Sequence, residues 1–134
     1  MNASTEKWNL TGVWHGSYTY TYTHLSDPVS FVATLIETAS HFSGTTHEPH
    51  SFFPETLYAT VSGHRNGRAV AFTKTCQQGG IYYVSPIEYD GLLNEDGTEI
   101  EGRWTISREW SGKFLMIRSR GQTAEVLEKK SEKA

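Results

Sequence analysis

At 134 residues with one cysteine and a net charge of −3, the chain has room for one domain built around a single core. It holds no intrachain disulfide and no thiolate set for a structural zinc. The basic residues are scattered and the sequence pI is near 6.0, which removes the electrostatic footprint expected of a nucleic-acid or anionic-lipid binder. Twelve glycines and 13% aromatic residues, with seven Tyr and four Trp, are the makeup of an all-β chain, β-formers separated by turn-formers.

Residues Met1 to Lys7 are polar and carry no apolar core of the kind a secretory signal needs, and no window approaches the ~20 apolar residues of a membrane span. A chain starting at Met1 is therefore expected in the cytoplasm. Eight extended runs follow: Gly12 to His24, Val29 to Thr38, His41 to Glu48, Glu55 to His64, Arg68 to Thr75, Ile81 to Leu93, Thr98 to Ile106 and Gly112 to Ser119. Between them, Ser26-Asp27-Pro28, Asn66-Gly67, Gln78-Gly79-Gly80 and Asp96-Gly97 supply the positive or fixed φ angles of tight connections, with Asn66-Gly67 and Asp96-Gly97 the strongest hairpin signals. Cys76 reads as part of a turn, and Pro86 as a bulge or strand edge. No segment from Gly12 to Ser119 has an apolar period of 3.6, so crossover helices are not expected and an antiparallel meander is the simplest topology.

Alternation assigns the faces. One parity collects Trp14, Gly16, Tyr18 and Tyr20; then Phe31, Ala33 and Leu35; Phe42, Gly44 and Thr46; Leu57, Ala59, Val61 and Gly63; Val70 and Phe72. It continues with Ile81, Tyr83, Ile87 and Tyr89; Ile100, Gly102 and Trp104; Phe114 and Met116. A bulky residue and a glycine repeatedly lie two apart on that face, as in Trp14/Gly16, Gly102/Trp104 and Gly112/Phe114, which suits the sharply bent strands of a small barrel. The expected fold is a single eight-stranded up-and-down β-barrel over about residues 10 to 119, with a polar segment before it and a charged tail over 120 to 134.

The run Leu10-Thr11-Gly12-Val13-Trp14, followed by Gly16 and Tyr18, resembles the Gly-x-Trp opening of the calycins, the barrel group of lipocalins, fatty-acid-binding proteins and avidins. The eight-run meander looks closest to the lipocalin and avidin forms. The resemblance implies a barrel closed at one end by the first-strand Trp, with an Arg or Lys from near the end of the barrel laid across it, and Arg118 matches that second element. A lipocalin disulfide pair, a long N-terminal helix and a helical lid between the first two strands are not seen. The opening also looks like that of the small haem-carrying barrels of the nitrobindin kind.

Three ionisable groups share the inward parity: Glu48, Lys74 and Arg118. Buried charge is costly unless paired, so these groups either lie wetted or paired at a rim or supply the few polar contacts that orient a ligand in an apolar pocket. The candidate lining is Trp14, Tyr18, Phe42, Phe72, Tyr89, Trp104 and Met116, with Glu48, Lys74 or Arg118 fixing a polar end of a small apolar or aromatic molecule. Phe52 and Phe53, in the loop from His47 to Pro54, either gate the barrel mouth or pack on a neighbouring strand. His15, His41, His47 and His64 face outward, His24 ends its strand and His50 lies in a loop, so no haem or metal is expected inside the barrel and no cofactor is implied.

Two alternatives stand beside a binding module. One is an isomerase- or cyclase-type enzyme using Glu48 with Tyr89 or Lys74, although no Gly-x-Ser-x-Gly elbow is present and Cys76 has no implied base. The other is a filled barrel serving as a structural or interaction module. Val32, Ile36, Leu115 and Ile117 form an outward apolar strip beside the first strand, to be covered by a second copy in a homodimer or by the tail, where Thr123 to Lys130 can form a short helix.

Overall fold

In the computed structural model, residues 7–21, 28–49, 56–76, 86–106 and 110–119 are described. They form eight strands in chain order: β1 (Gly12–Tyr20), β2 (Val29–Thr38), β3 (His41–Pro49), β4 (Thr56–Asn66), β5 (Ala69–Cys76), β6 (Ile87–Leu93), β7 (Glu99–Ile106) and β8 (Trp110–Ser119). Each pairs antiparallel with the next and β8 returns to β1, giving the closed up-and-down barrel that the alternation predicted. Closure leaves no unpaired strand edge among the described residues. Tyr22 to His24, Ile81 and Tyr83, His50, Phe52 and Phe53, the Ser26-Asp27 and Gln78-Gly79-Gly80 turns and the Thr123 to Lys130 helix lie outside the described residues.

The face assignment holds. Trp14, Phe31, Ala33, Leu35, Phe42, Val61, Val70, Phe72, Tyr89, Ile100, Trp104, Phe114 and Met116 are buried in one core, while His15, His41, His47 and His64 are exposed. Of the outward apolar strip, Ile36 and Ile117 are exposed, and Val32 and Leu115 are half-buried. Pro86 immediately precedes β6, where its missing N–H costs no ladder bond. Cys76 is not in a turn: it is the last residue of β5, half-buried and on the same face as Lys74, because the β4–β5 ladder runs on to pair it with Ala59.

The β2–β3, β4–β5 and β6–β7 hairpins gather at one end of the barrel. In the second, Asn66 pairs with Ala69, so Gly67 and Arg68 make the two-residue loop, and the +61° φ of Gly67 suits the Gly-first II′ turn. Between β6 and β7, Asn94 Oδ1 accepts from the N–H groups of Thr98 and Glu99 at 2.8 and 3.1 Å, and Gly97 has a φ of +73°. The first hairpin had no sequence signal: Ala39 and Ser40 both adopt left-handed φ, 54° and 69°, between the paired Thr38 and His41. That geometry is costly for residues with a Cβ.

This end is plugged from below by the segment before β1. Leu10, Trp14, Leu35, Leu93, Ile100 and Met116 are all shielded from solvent there, and Trp14 Nε1 donates to the Leu10 carbonyl at 2.9 Å. Leu10 thus belongs to the core, and Trp8, in the stretch before residue 10 that reads as polar, is half-buried against it. The C-terminal ends of β1, β3, β5 and β7 and the N-terminal ends of β2, β4, β6 and β8 lie at the opposite, upper end.

Glycines set how closely the walls approach. A Cβ on Gly16 would enter the ring of its cross-strand partner Phe31, and one on Gly112 would strike both the Thr19 carbonyl and the Trp104 indole. At Gly16, Gly91 and Gly112 the regularity is therefore an interlock, with the rings of Phe31, Phe114 and Trp104 lying over the glycines.

Candidate functional site

The predicted site residues divide between the two ends of the barrel. Trp14, Met116 and Arg118 lie at the plugged end. The Arg118 guanidinium sits over the Trp14 ring, 4.6 Å from its centroid, and donates to the carbonyls of Asn9 and Thr11. This is the closing Trp–Arg pair that the first and last strands suggested, and its donors are turned to the plug backbone. A second charged pair at this end had no place in the sequence reading. Arg65 Nη2 and Nε meet the Glu37 carboxylate at 2.7 and 2.9 Å, and Glu37 Oε1 also accepts from the Leu10 N–H at 3.0 Å. Glu37 continues the parity of Phe31, Ala33 and Leu35, and Arg65 that of Val61 and Gly63, so extending the alternation by one step on each strand would have found both.

Phe42, Phe72, Tyr89 and Phe114 fill the waist. Phe72 and Tyr89 stack with centroids 4.5 Å apart and planes 9° apart, and Phe114 and Phe42 meet this stack edge-on. Such pairs add about 0.5–1.5 kcal/mol each beyond their buried area.

Above the waist the chemistry changes. Lys74, on β5 beyond Phe72, is only 4% exposed, and its Nζ lies 3.2 Å from Glu48 Oε1. Glu48 Oε2 accepts from the Tyr18 hydroxyl at 2.8 Å. The Lys74 ammonium also stands over the rings of Tyr18, Phe31 and Tyr89, at 5.4, 5.3 and 6.0 Å from their centroids. Glu48 and Lys74 sit on β3 and β5 with β4 between them, and Tyr18 comes from β1. Barrel curvature directs all three side chains into the same part of the lumen.

Electrostatics hold this cluster in one protonation state. Burial raises Tyr18 far above the ordinary phenol value, and the neighbouring Glu48 carboxylate adds to it. Burial also raises Tyr20 and Tyr89, with the Lys74 ammonium opposing it in both. For Lys74 burial works against the charge, but the Glu48 carboxylate at 3.2 Å favours it and its pKa is raised. The Cys76 thiol is pushed up by burial. The result is a charged Lys74 among neutral phenols, with no depressed lysine or thiol to act as a nucleophile.

An aromatic wall faces the ion pair. Tyr20 meets Trp104 edge-on at 5.0 Å and Trp110 at 6.1 Å, Trp104 contacts Tyr18 at 6.0 Å, and Trp104 Nε1 donates to the Thr19 carbonyl at 3.0 Å. Trp110 is 47% exposed, so this wall runs out to solvent. Trp110 escaped the sequence reading because its strand was started at Gly112, although Trp110, Gly112 and Phe114 share one parity. Of the ten predicted residues, the structure brings Tyr18, Glu48, Lys74, Tyr89 and Trp104 together at or just above the waist. Phe42 and Phe72 lie beneath them, and Trp14, Met116 and Arg118 are set apart at the plug.

An open groove of about 550 Å³ runs past Leu92, Glu101, Arg103, Lys113 and Leu115, of outward parity, and also touches Tyr18, Gly102 and Phe114 of the inward parity. No group of three or more His, Cys, Asp or Glu among the described residues could hold a metal ion.

No protein-family model and no curated protein matches the chain. Among solved structures it is similar to a redesigned β-barrel, with a TM-score of 0.65 and 10% identity over 90% of this chain and 98% of that one. It is also similar to a de novo designed fluorescence-activating β-barrel, with a TM-score of 0.60 and 12% identity over 88% of this chain and 98% of that one. At these identities the likeness is one of fold: an all-β, closed, eight-stranded antiparallel barrel.

Proposed function

We propose that this protein is a small-molecule-binding barrel that takes an apolar or aromatic compound at its upper end, between the Tyr20–Trp104–Trp110 wall and the Tyr18–Glu48–Lys74 cluster. The observation that carries this reading is the buried ion pair itself. Two charges taken from water into an aromatic interior are often no more stabilising than apolar residues of the same size. The plugged end buries an ion pair of its own, Glu37–Arg65, but that carboxylate is tied to the plug backbone through the Leu10 N–H, whereas Glu48 and Lys74 meet each other, the Tyr18 hydroxyl and aromatic rings at the upper end. A few polar groups converging in an aromatic setting are the usual form of a ligand site. The same arrangement lacks a depressed lysine or thiol, which favours binding over nucleophilic catalysis.

Native mass spectrometry of the purified protein, alone and with small naphthalene derivatives, tests the proposal. A 1:1 adduct is expected, with saturable quenching of the indole emission of Trp104 and Trp110. A spectrum free of adducts together with unchanged emission up to the solubility limit would overturn it.

A further inference from the structure

We infer that the compound held at the upper end is electrically neutral and presents a hydrogen-bond acceptor, and that the Glu48–Lys74 pair sets this preference. The inference rests on the binding role proposed above and narrows it to a chemical class.

The first argument is charge. Glu48 and Lys74 lie 3.2 Å apart and cancel, and the titratable groups beside them, Tyr18, Tyr20, Tyr89 and Cys76, are neutral. An incoming anion meets the Glu48 carboxylate and an incoming cation meets the Lys74 ammonium, each already satisfied by its partner. A ligand ion would have to give up its own hydration without gaining an unpaired counter-charge. An organic cation is refused for a second reason. The faces of Tyr18, Phe31 and Tyr89 already carry the Lys74 ammonium at 5.3–6.0 Å, and that charge repels a second cation beside it.

The second argument is hydrogen-bond supply. A lysine ammonium offers three protons and each neutral phenol one. Against these, each Glu48 oxygen already accepts a bond, Oε1 from Lys74 and Oε2 from Tyr18. Lys74 can only donate, and with one proton on Glu48 and one toward the Tyr89 oxygen it keeps a third, charge-assisted donor, so the complementary ligand group is an acceptor such as a carbonyl or a nitro oxygen. The apolar body of the ligand has the Tyr20, Trp104 and Trp110 rings to lie against.

The test uses three probes on one skeleton: 2-acetylnaphthalene (neutral acceptor), 2-naphthoate (anion) and 2-naphthylmethylammonium (cation), titrated against the full chain by calorimetry and indole quenching. Wild type is expected to bind the ketone roughly tenfold or more tightly than either ion. Glu48→Gln leaves Lys74 uncompensated and should move the preference to naphthoate, and Lys74→Met leaves the carboxylate and should move it to the ammonium probe. Circular dichroism confirms that each variant is folded, and Glu48→Gln by itself decides the matter should Lys74→Met fail to fold. Wild-type affinities within about threefold of one another, or an order unchanged in Glu48→Gln, would overturn the charge-class inference while leaving the binding role standing. Failure of all three probes to bind would remove both.

Discussion

If the upper ion pair is kept for a ligand and not for stability, removing it whole should cost far less than removing half. Lys74→Met leaves the Glu48 side chain, 12% exposed, holding a charge with only the Tyr18 hydroxyl bonded to it. Glu48→Leu leaves Lys74, 4% exposed, without a counter-ion and strips Tyr18 of its acceptor. Each single change falls at the lower end of the range for breaking a buried pair, about 3 kcal/mol, because the aromatic rings around Lys74 and the partial exposure of Glu48 soften the loss. The double variant should cost about 2 kcal/mol, the residue being mainly the unsatisfied Tyr18 hydroxyl, and adding Tyr18→Phe should return it close to wild type. The coupling energy is then about 4 kcal/mol, from the two single losses less the double. Urea unfolding followed by tryptophan emission measures all five proteins, wild type included, with an unchanged m value as the check that they unfold alike. A double variant at least as unstable as either single, about 3 kcal/mol or more, would refute the reasoning and make the pair a net stabilising contact.

The raised pKa values of Tyr18, Tyr20, Tyr89 and Lys74 all act in the same direction: the folded protein holds these protons more tightly, so their contribution is complete below the ordinary values of 10.0 and 10.5 and is lost as the pH rises beyond them. Stability should therefore fall steeply in alkali, and Tyr18→Phe should blunt that fall in pH-dependent urea midpoints. A slope unaltered by the substitution would count against burial of the Tyr18 proton. Replacing Ala39-Ser40 by Asn-Gly places residues that accept left-handed φ at 54° and 69°, and should raise stability by about 1–2 kcal/mol with no change at the distant upper end. Gly112→Ala should destabilise by about 1–3 kcal/mol and shift the emission of Trp104, because the added methyl displaces the indole from the Thr19 carbonyl; an unshifted spectrum would show that the interlock yields freely.

Much of the barrel was legible because its information is local. Alternation along a strand fixes which side chains share a face, and Asn66-Gly67 and Asp96-Gly97 mark hairpins by backbone geometry that only a few residues tolerate. The Ala39-Ser40 turn was visible only as a gap between two runs, since neither residue favours the φ it adopts. Trp14 and Arg118 were paired through a resemblance, and their contact at 4.6 Å follows from the register that sets them opposite each other on β1 and β8.

By itself, the sequence determined the all-β class, the inward and outward faces and the order of the strands. Only the tertiary structure decided which inward residues meet. Glu48 could be read as an inward carboxylate, but not as the partner of both Lys74, 26 positions away, and Tyr18, 30 positions away. The same holds for Glu37 with Arg65 and for Leu10 in the plug. A strand's parity is set by its own residues, one step of two at a time, whereas a contact across the lumen depends on the curvature and stagger of every strand between the partners, and no local pattern records that sum.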